Sequence, residues 1–169
     1  MNANQNKVTI NIINIITGSQ VTIIHGQSSL LTLKSLISAG CTDIIVTEAK
    51  RIFPINLSKT LAEELGMTLG KEIGYAIRNE EINGTVCRFV TDGWVVRQLE
   101  KDKTIEDVKY IIVDEAITMK GEYTDTMIAK LKDLIQQRKD LKIVFNMKDS
   151  NEVSIKAIKD NFNASLYIV

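Results

Sequence analysis

Short apolar runs rich in β-branched residues recur along this chain and alternate with segments of helical periodicity. The runs lie at residues 21–24, 44–47, 86–90, 110–113, 142–145 and 166–169. Continuous apolar runs of this length are typical of strands that are buried on both faces of a sheet. Helical segments between such strands require right-handed crossovers, which give a parallel sheet with helices on both faces. The alternation therefore predicts a three-layer α/β fold with a mainly parallel central sheet.

The segments between these runs have the spacing of amphipathic helices. They predict helices near residues 29–39, 55–65, 124–138 and 152–162. We expect Ser28 or Ser29 to cap the first helix, Thr124 to cap the third, and Gly66 to end the second. The opening segment Val8–Thr17 fits a strand or a helix, and we interpret it as a helix.

The length of 169 residues predicts a single domain, residues 18–169, preceded by an arm or helix at residues 1–17. Lys plus Arg and Asp plus Glu both number 21, so the formal net charge is zero. This balance argues against a strongly basic nucleic-acid binder, although a local basic stripe remains compatible with it. No apolar run approaches the ~18 residues of a membrane span, so no membrane partner is expected. Cys41 and Cys87 form neither a disulfide framework nor a zinc pattern, which favours a reducing, cytoplasmic location.

The turn after the first strand is a candidate anion site, because ligands of open α/β sheets bind outside the carboxyl ends of the strands. It contains Gly26, Gln27, Ser28 and Ser29, and its backbone N–H groups together with the following helix could attract a phosphate. A phosphate-binding loop requires Gly, four residues, and then Gly-Lys-Ser/Thr. A direct count from Gly26 places Thr32 at the lysine position, so an ordinary strand-to-helix turn is the competing interpretation.

Asp114 and Glu115 follow a buried apolar strand directly and form the second candidate site. Two carboxylates are costly to place there without partners. In nucleotide hydrolases such a pair holds Mg²⁺ and polarises the attacking water. A solvated strand end explains the two residues equally well when they are considered alone.

Several segments resemble, in order, motifs of the first RecA-like domain of the DEAH-box RNA helicases. TEAKR at 47–51 resembles T-Q-P-R-R, GKEIGYAIR at 70–78 resembles G-x-x-V-G-Y-x-I-R, and RFVTDG at 88–93 resembles R/K-F-x-T-D-G. Asp114-Glu115-Ala116-Ile117 stands where the family has Asp-Glu-Ala-His, and further matches lie at 61–66, 124–142 and 160–164. The resemblance covers nearly the whole chain and implies the RecA-like P-loop NTPase fold.

The departures from this family lie in its catalytic motifs. The distance from Gly26 to Gly40 indicates that about four residues of the family's glycine-lysine loop are missing, including the lysine. Ile117 replaces the histidine, and Asn146-Met147-Lys148 replaces the family's Ser-Ala-Thr. The second RecA-like domain, which carries the family's arginine fingers, is absent from these 169 residues. The pattern resembles a pseudo-helicase domain.

The missing lysine and the shortened loop predict weak nucleotide binding. A charge-assisted contact to phosphate is worth about 1.5–3 kcal/mol, so the combined loss amounts to roughly 10²–10⁴ in affinity. No cofactor is therefore expected. We also expect the shorter turn to collapse into the phosphate space, with Ser28 or Ser29 capping the following helix directly.

The resemblance also implies an RNA interface. In the family, the T-Q-P-R-R and T-D-G segments touch the phosphates of the strand, and Thr47, Arg51, Thr91 and Asp92 stand at matching positions. Lys50 adjoins them, and we expect it to form a small basic face with three arginines: Arg51, Arg78 and Arg88. Ordinary surface charge is the competing interpretation.

Our hypothesis from the sequence is a degenerate helicase-like domain without ATP hydrolysis. It would bind a protein partner or single-stranded RNA, and it could join a second RecA-like domain or a larger assembly. The alternative is a divergent NTP-dependent RNA helicase or NTPase domain that uses ATP and Mg²⁺. In that case Asp114 would hold the metal ion and Glu115 would act in hydrolysis.

Overall fold

A computed structural model describes residues 3–115 and 119–169 of the chain. Its helices are α1 (Ala3–Gly18), α2 (Ser29–Ser38), α3 (Ile52–Leu65), α4 (Asp92–Lys101), α5 (Thr124–Gln137) and α6 (Glu152–Phe162). Its strands are β1 (Val21–His25), β2 (Ile44–Glu48), β3 (Ile73–Ile77), β4 (Glu80–Ile82), β5 (Cys87–Thr91), β6 (Tyr110–Asp114), β7 (Lys142–Met147) and β8 (Ser165–Ile168). Within the described ranges, none of the helices combines the length and the apolar character that a membrane span requires.

The strands form one sheet in the order β4-β3-β5-β2-β6-β7-β1-β8. Every neighbouring pair is parallel except β3 and β4, which pair antiparallel at one edge of the sheet. Glu48 lies opposite Thr91, and Asp114 lies opposite Asn146. The carboxyl ends of β1, β2, β5, β6 and β7 therefore meet at one side of the sheet.

Two hydrophobic cores lie on opposite faces of the sheet, because successive residues of a strand point to opposite sides. Ile23 packs in the core beneath α4, α5 and α6, whereas Ile24 packs in the core beneath α1, α2 and α3. Phe145 and Phe89, both almost fully buried, fill the two cores. The predicted three-layer α/β architecture is confirmed.

All six predicted strands and all four predicted helices are present, most within two residues of the expected bounds. The exception is α3, which begins at Ile52 rather than near 55, because Pro54 is tolerated in the first turn of a helix. Ser28 caps α2, and Gly66 ends α3 with φ 63°. Thr124, however, does not cap α5, of which it is the first helical residue. Its hydroxyl instead accepts from the Gly121 N–H and donates to Asp92.

The opening segment Val8–Thr17 lies within α1, as expected of a helix. Ile12 and Ile16 are buried in the same core as α2 and α3. The apolar runs and periodicities did not predict β3, β4 and α4, of which β3 and α4 contribute to the candidate site.

Candidate functional site

The turn from β1 to α2 is tight and closed by its own residues. Gly26 adopts φ 90°, a conformation that favours glycine, and lets the chain reverse at the end of the strand. The Ser28 hydroxyl accepts a hydrogen bond from the Leu31 N–H at 3.4 Å, which satisfies one of the free donors at the start of α2. The N-terminus of α2 is therefore capped by the Ser28 side chain.

A ring of three buried polar side chains occupies the space beside this turn. Asn146 at the end of β7 donates from Nδ2 to the Gln27 carbonyl oxygen at 2.8 Å and accepts from the Thr32 hydroxyl at 2.8 Å. Gln27 closes the ring by donating from Nε2 to the Thr32 hydroxyl oxygen at 3.1 Å. Asn146 and Thr32 are both fully buried.

Removing the Asn146 amide should loosen this turn. We expect Asn146→Ala to lower the free energy of unfolding by about 2 kcal/mol, because the buried carbonyl oxygen of Gln27 loses its donor. Urea unfolding measures the change. Asn161→Ala, a change to an exposed residue of α6, should cost less than about 0.5 kcal/mol. Equal costs for the two variants would contradict the role of the ring.

Three carboxyl groups lie along the strand ends beyond this ring, at the ends of β2 and β6 and the start of α4. Those at β2 and α4 are buried, and the one at β6 is half-buried. The three groups belong to Glu48, Asp92 and Asp114, and none has an ion pair among the described residues. Burial, followed by the charge of Asp114, raises the pKa of Glu48 from 4.5 to about 9. Burial also raises the pKa of Asp114, although the Ser29 hydroxyl opposes the rise. Burial raises the pKa of Asp92 as well, and the hydrogen bond from the Thr124 hydroxyl opposes this rise. At neutral pH the cluster therefore keeps a proton on Glu48.

The Glu115 carboxylate is held by backbone of the neighbouring strand end. Glu115 has φ 42°, and its Oε1 accepts a hydrogen bond from the Lys148 N–H at 2.5 Å. Its own N–H donates to the Asn146 carbonyl oxygen at 3.0 Å. Ile117, expected to replace the histidine of the family motif, lies outside the described residues.

The candidate phosphate turn and the candidate metal ligand Asp114 both contact other protein groups. Among the residues that the structure describes, no group of three or more histidine, cysteine, aspartate or glutamate side chains is arranged to hold a metal ion. The Asp114 carboxyl lies against that of Glu48, and the Gln27–Thr32–Asn146 ring fills the space beside the turn.

A cleft of about 140 Å³ opens farther along the same side of the sheet, where β2, β3 and β5 end. Its basic residues are Arg51 after β2, Arg78 after β3 and Arg97 on α4. Within the described chain, none of the three guanidinium groups has an acidic side chain at ion-pair distance. Arginine forks bind anions with several oxygen atoms in a planar, bidentate manner. The cleft therefore has the chemistry of a phosphate site.

Comparison with known proteins relates the chain to helicases in sequence and in fold. No family model matches the chain. The DExH-box ATP-dependent RNA helicase DExH3 of Arabidopsis thaliana is 34% identical over 142 residues, which cover 76% of this chain and 12% of DExH3. The crystal structure of the DEAH/RHA helicase HrpB of Escherichia coli matches with a TM-score of 0.85 at 22% identity, over 96% of this chain and 22% of that one. The chain is a helicase-like domain.

The HrpB likeness shows that the fold of this helicase-like domain is RecA-like. The chain spans about one eighth of the length of DExH3, the curated relative that it matches. The resemblance derived from the short motifs is therefore supported over most of the chain, whereas the activity of the longer proteins does not follow from the match.

The residues predicted to bind nucleic acid occupy three different positions in the helicase-like domain. Arg51, Thr91 and Asp92 line the arginine cleft together. Lys50 is exposed beside it but is not part of its lining. Thr47 is fully buried, and its hydroxyl lies against Asp92, where it opposes the raised pKa of that carboxyl. The cleft gathers part of the predicted set.

Arg88 does not join the basic face expected from the sequence. It lies near the start of β5, and its guanidinium pairs with Glu81 at 3.3 Å and Asp107 at 3.4 Å. The same group lies 5.2 Å from the ring centre of Trp94, a cation–π distance. The prediction that Arg88 belongs to that face is therefore wrong, because Arg88 contacts Glu81, Asp107 and Trp94 instead.

Sequence reasoning missed Tyr123 as a cleft residue and did not single out Glu48 for its burial. Tyr123 precedes α5 and lines the cleft with 41% of its surface exposed. The sequence feature that relates to Tyr123 is Gly93, because its missing side chain leaves room for the tyrosine ring. For Glu48 the signal was its place directly after a buried strand, the same argument that singled out Asp114.

Proposed function

We propose that this helicase-like domain binds single-stranded RNA in the arginine cleft without binding or hydrolysing a nucleotide. One observation carries the proposal: the carboxyl side of the sheet is closed by the protein's own side chains at the β1–α2 turn and open at the cleft. A second RecA-like domain or a larger assembly would supply further contacts to the strand. The free cysteines, of which Cys87 is buried, suit a reducing, intracellular compartment.

The contacts of the cleft support a phosphate backbone as its ligand. Arg51, Arg78 and Arg97 can each form two parallel hydrogen bonds to a phosphate group, and none has an ion pair with another described residue. Among the described lining residues, Glu122 is the one acidic residue at the surface, since Asp92 is buried. DExH3 is named as an RNA helicase, which favours RNA as the polymer.

The closed turn supports the absence of nucleotide chemistry. Side chains of the turn are engaged within the protein: the Ser28 hydroxyl accepts from the Leu31 N–H, and Asn146 and Thr32 bond each other and Gln27. The alternative of a divergent NTPase relies on Asp114 and Glu115, which remain at the end of β6. In the present arrangement their carboxyls face Glu48 and the Lys148 N–H respectively.

A titration with labelled single-stranded RNA, with and without ATP and Mg²⁺, tests the proposal. We expect micromolar binding at low salt that ATP does not change, and no ATP affinity better than about millimolar. Three phosphate contacts predict a log–log salt dependence with a slope of about −2. Arg51→Ala and Arg97→Ala should each weaken binding by roughly fivefold to tenfold. The matched control is Lys103→Ala, an exposed lysine without an ion pair beyond the far end of α4.

Three results would contradict the proposal. RNA affinity that is equally reduced by Lys103→Ala would indicate diffuse charge rather than the cleft. Undetectable RNA binding together with tight binding of a protein partner would favour the protein-binding hypothesis. ATP turnover that disappears in Glu115→Gln would establish the divergent NTPase instead.

A further inference from the structure

Among the described residues that line the arginine cleft, Tyr123 is the aromatic one. It keeps 41% of its surface exposed, although large apolar side chains in this domain are mostly buried. Its hydroxyl makes no hydrogen bond to any residue that the structure describes. The packing of the domain therefore does not account for the exposed part of this ring.

The backbone of Gly93 supports one face of the Tyr123 ring. A side chain added at Gly93 would place its Cβ 2.9 Å from Cδ2 and 3.3 Å from both Cγ and Cε2 of the tyrosine. Three such similar distances correspond to an approach onto the face of the ring, because an approach along its edge would leave Cγ and Cε2 farther away. With this face toward Gly93, Tyr123 still keeps 41% of its surface exposed.

The chain on either side of the ring is also fixed. The Tyr123 carbonyl oxygen accepts a hydrogen bond from the Met127 N–H at 2.8 Å, at the start of α5. The next residue, Thr124, is fully buried, donates to Asp92 at 2.5 Å and accepts from the Gly121 N–H at 2.8 Å. A tyrosine on such a rigid backbone has two side-chain torsions left to order when a ligand binds.

We propose that Tyr123 is a stacking platform for one nucleobase of a strand whose phosphates are bound by the arginines of the cleft. This inference rests on the proposed RNA binding and specifies its ligand. Base–aromatic stacking tolerates any base, since every base has a π face, but the base must be unstacked from its neighbours. The site thus takes single-stranded nucleic acid and discriminates against a duplex and against polyanions that lack bases.

Binding of two matched probes tests the platform: a single-stranded RNA oligonucleotide and an abasic ribose-phosphate oligomer of the same length. We expect Tyr123→Leu to weaken RNA binding by about tenfold and to leave binding of the abasic oligomer unchanged. Tyr123→Phe should retain RNA affinity within about twofold. Gly93→Ala should reproduce the loss for RNA, because the added methyl group displaces the ring without removing a polar group.

The salt dependence separates stacking from charge. Tyr123→Leu should keep the log–log slope of the wild type, whereas Arg97→Ala should reduce its magnitude by about 0.7. Circular dichroism and thermal melting confirm that each variant is folded.

The outcomes distinguish this inference from the proposed function. RNA affinity that survives Tyr123→Leu but falls in Arg97→Ala would overturn the platform and leave RNA binding in place. An equal loss in Tyr123→Phe would overturn stacking in favour of a hydroxyl contact. Wild-type protein that binds neither probe would overturn the proposed function and the platform with it.

Discussion

Replacing Arg138 by methionine is expected to lower the free energy of unfolding by about 4 kcal/mol. The guanidinium is buried, and it donates from Nη1 to the carbonyl oxygens of Thr104 at 3.0 Å and Ile105 at 2.7 Å. Nη2 donates to the Val108 carbonyl oxygen at 3.0 Å. A hydrogen bond to a charged group contributes about 1.5–3 kcal/mol, and each buried carbonyl that loses its donor adds a desolvation cost. Methionine fills most of the volume but restores none of these bonds.

The salt bridge of Arg138 provides the matched control. Its Nη2 also pairs with Asp140 at 2.5 Å, but the Asp140 side chain is 66% exposed. Asp140→Asn should therefore cost less than about 1 kcal/mol, as exposed ion pairs do. Urea unfolding of the two variants measures the difference. If Asp140→Asn proved as costly as Arg138→Met, the ion pair rather than the three carbonyl contacts would be the source of stability.

The Arg138–Lys142 segment also explains why the resemblance to the helicase family extends beyond the catalytic motifs. Arg138 fixes the loop between α4 and β6 through backbone carbonyls. Lys142 donates from Nζ to the carbonyl oxygens of Thr17 at 2.9 Å and Ser19 at 3.0 Å, which fixes the connection from α1 to β1. These side chains hold loops in place, so the R-x-D-L-K pattern reports on the fold and not on nucleotide chemistry.

The sequence predicted the central strands because they are buried on both faces and so consist of continuous apolar residues. The edge of the sheet could not be found in this way. β4 (Glu80–Ile82) is short and has two exposed glutamates, which suit an edge strand but give no apolar period. β3 contains Gly74, whose absent side chain accommodates the backbone at Ile82 and lowers the strand propensity of the segment.

α4 was not predicted as an element for a different reason. It begins at Asp92 directly after β5, with Gly93 as its second residue and β-branched Val95 and Val96 in its first turns. Each of these residues has a weak helix propensity. Burial of Trp94, Val95 and Val96 in the core stabilises the helix, and tertiary packing of this kind is not visible in local periodicity.

The candidate site was predicted where one turn determines its geometry and missed where distant segments meet. The Ser28 cap follows from the spacing of a few neighbouring residues. The Asn146–Thr32 bond and the position of Tyr123 over Gly93 join residues more than 25 positions apart. Their pairing depends on strand order, which the sequence pattern leaves open.

The Glu48→Gln variant is expected to become increasingly more stable than the wild type as the pH rises. Folding raises the pKa of Glu48 from 4.5 to about 9, so the folded protein binds the proton more tightly than the unfolded chain does. Stability from this group is fully present below pH 4.5 and is lost as the pH rises toward 9. Glutamine is neutral at every pH and avoids that loss.

Measured by urea unfolding, the stability of the variant relative to wild type should therefore increase by about 4 kcal/mol between pH 5 and 8.5. This figure corresponds to about three pKa units at about 1.36 kcal/mol each. Glu63→Gln, an exposed substitution on α3, should show no such trend. Parallel pH curves for wild type and Glu48→Gln would show that the carboxyl is not held protonated.

Asp114→Asn completes the test, because the charge of Asp114 contributes to the raised pKa of Glu48 after burial itself. Removing that charge should make the pH dependence of the wild type shallower, but should not abolish it, since Glu48 stays buried. The groups with lowered pKa, Asp43, Glu72, Asp102 and Asp140, do not interfere. Their contribution is lost only below pH 4.5, outside the range of the experiment. A slope that disappears completely in Asp114→Asn would assign the effect to repulsion between the two carboxyls rather than to burial.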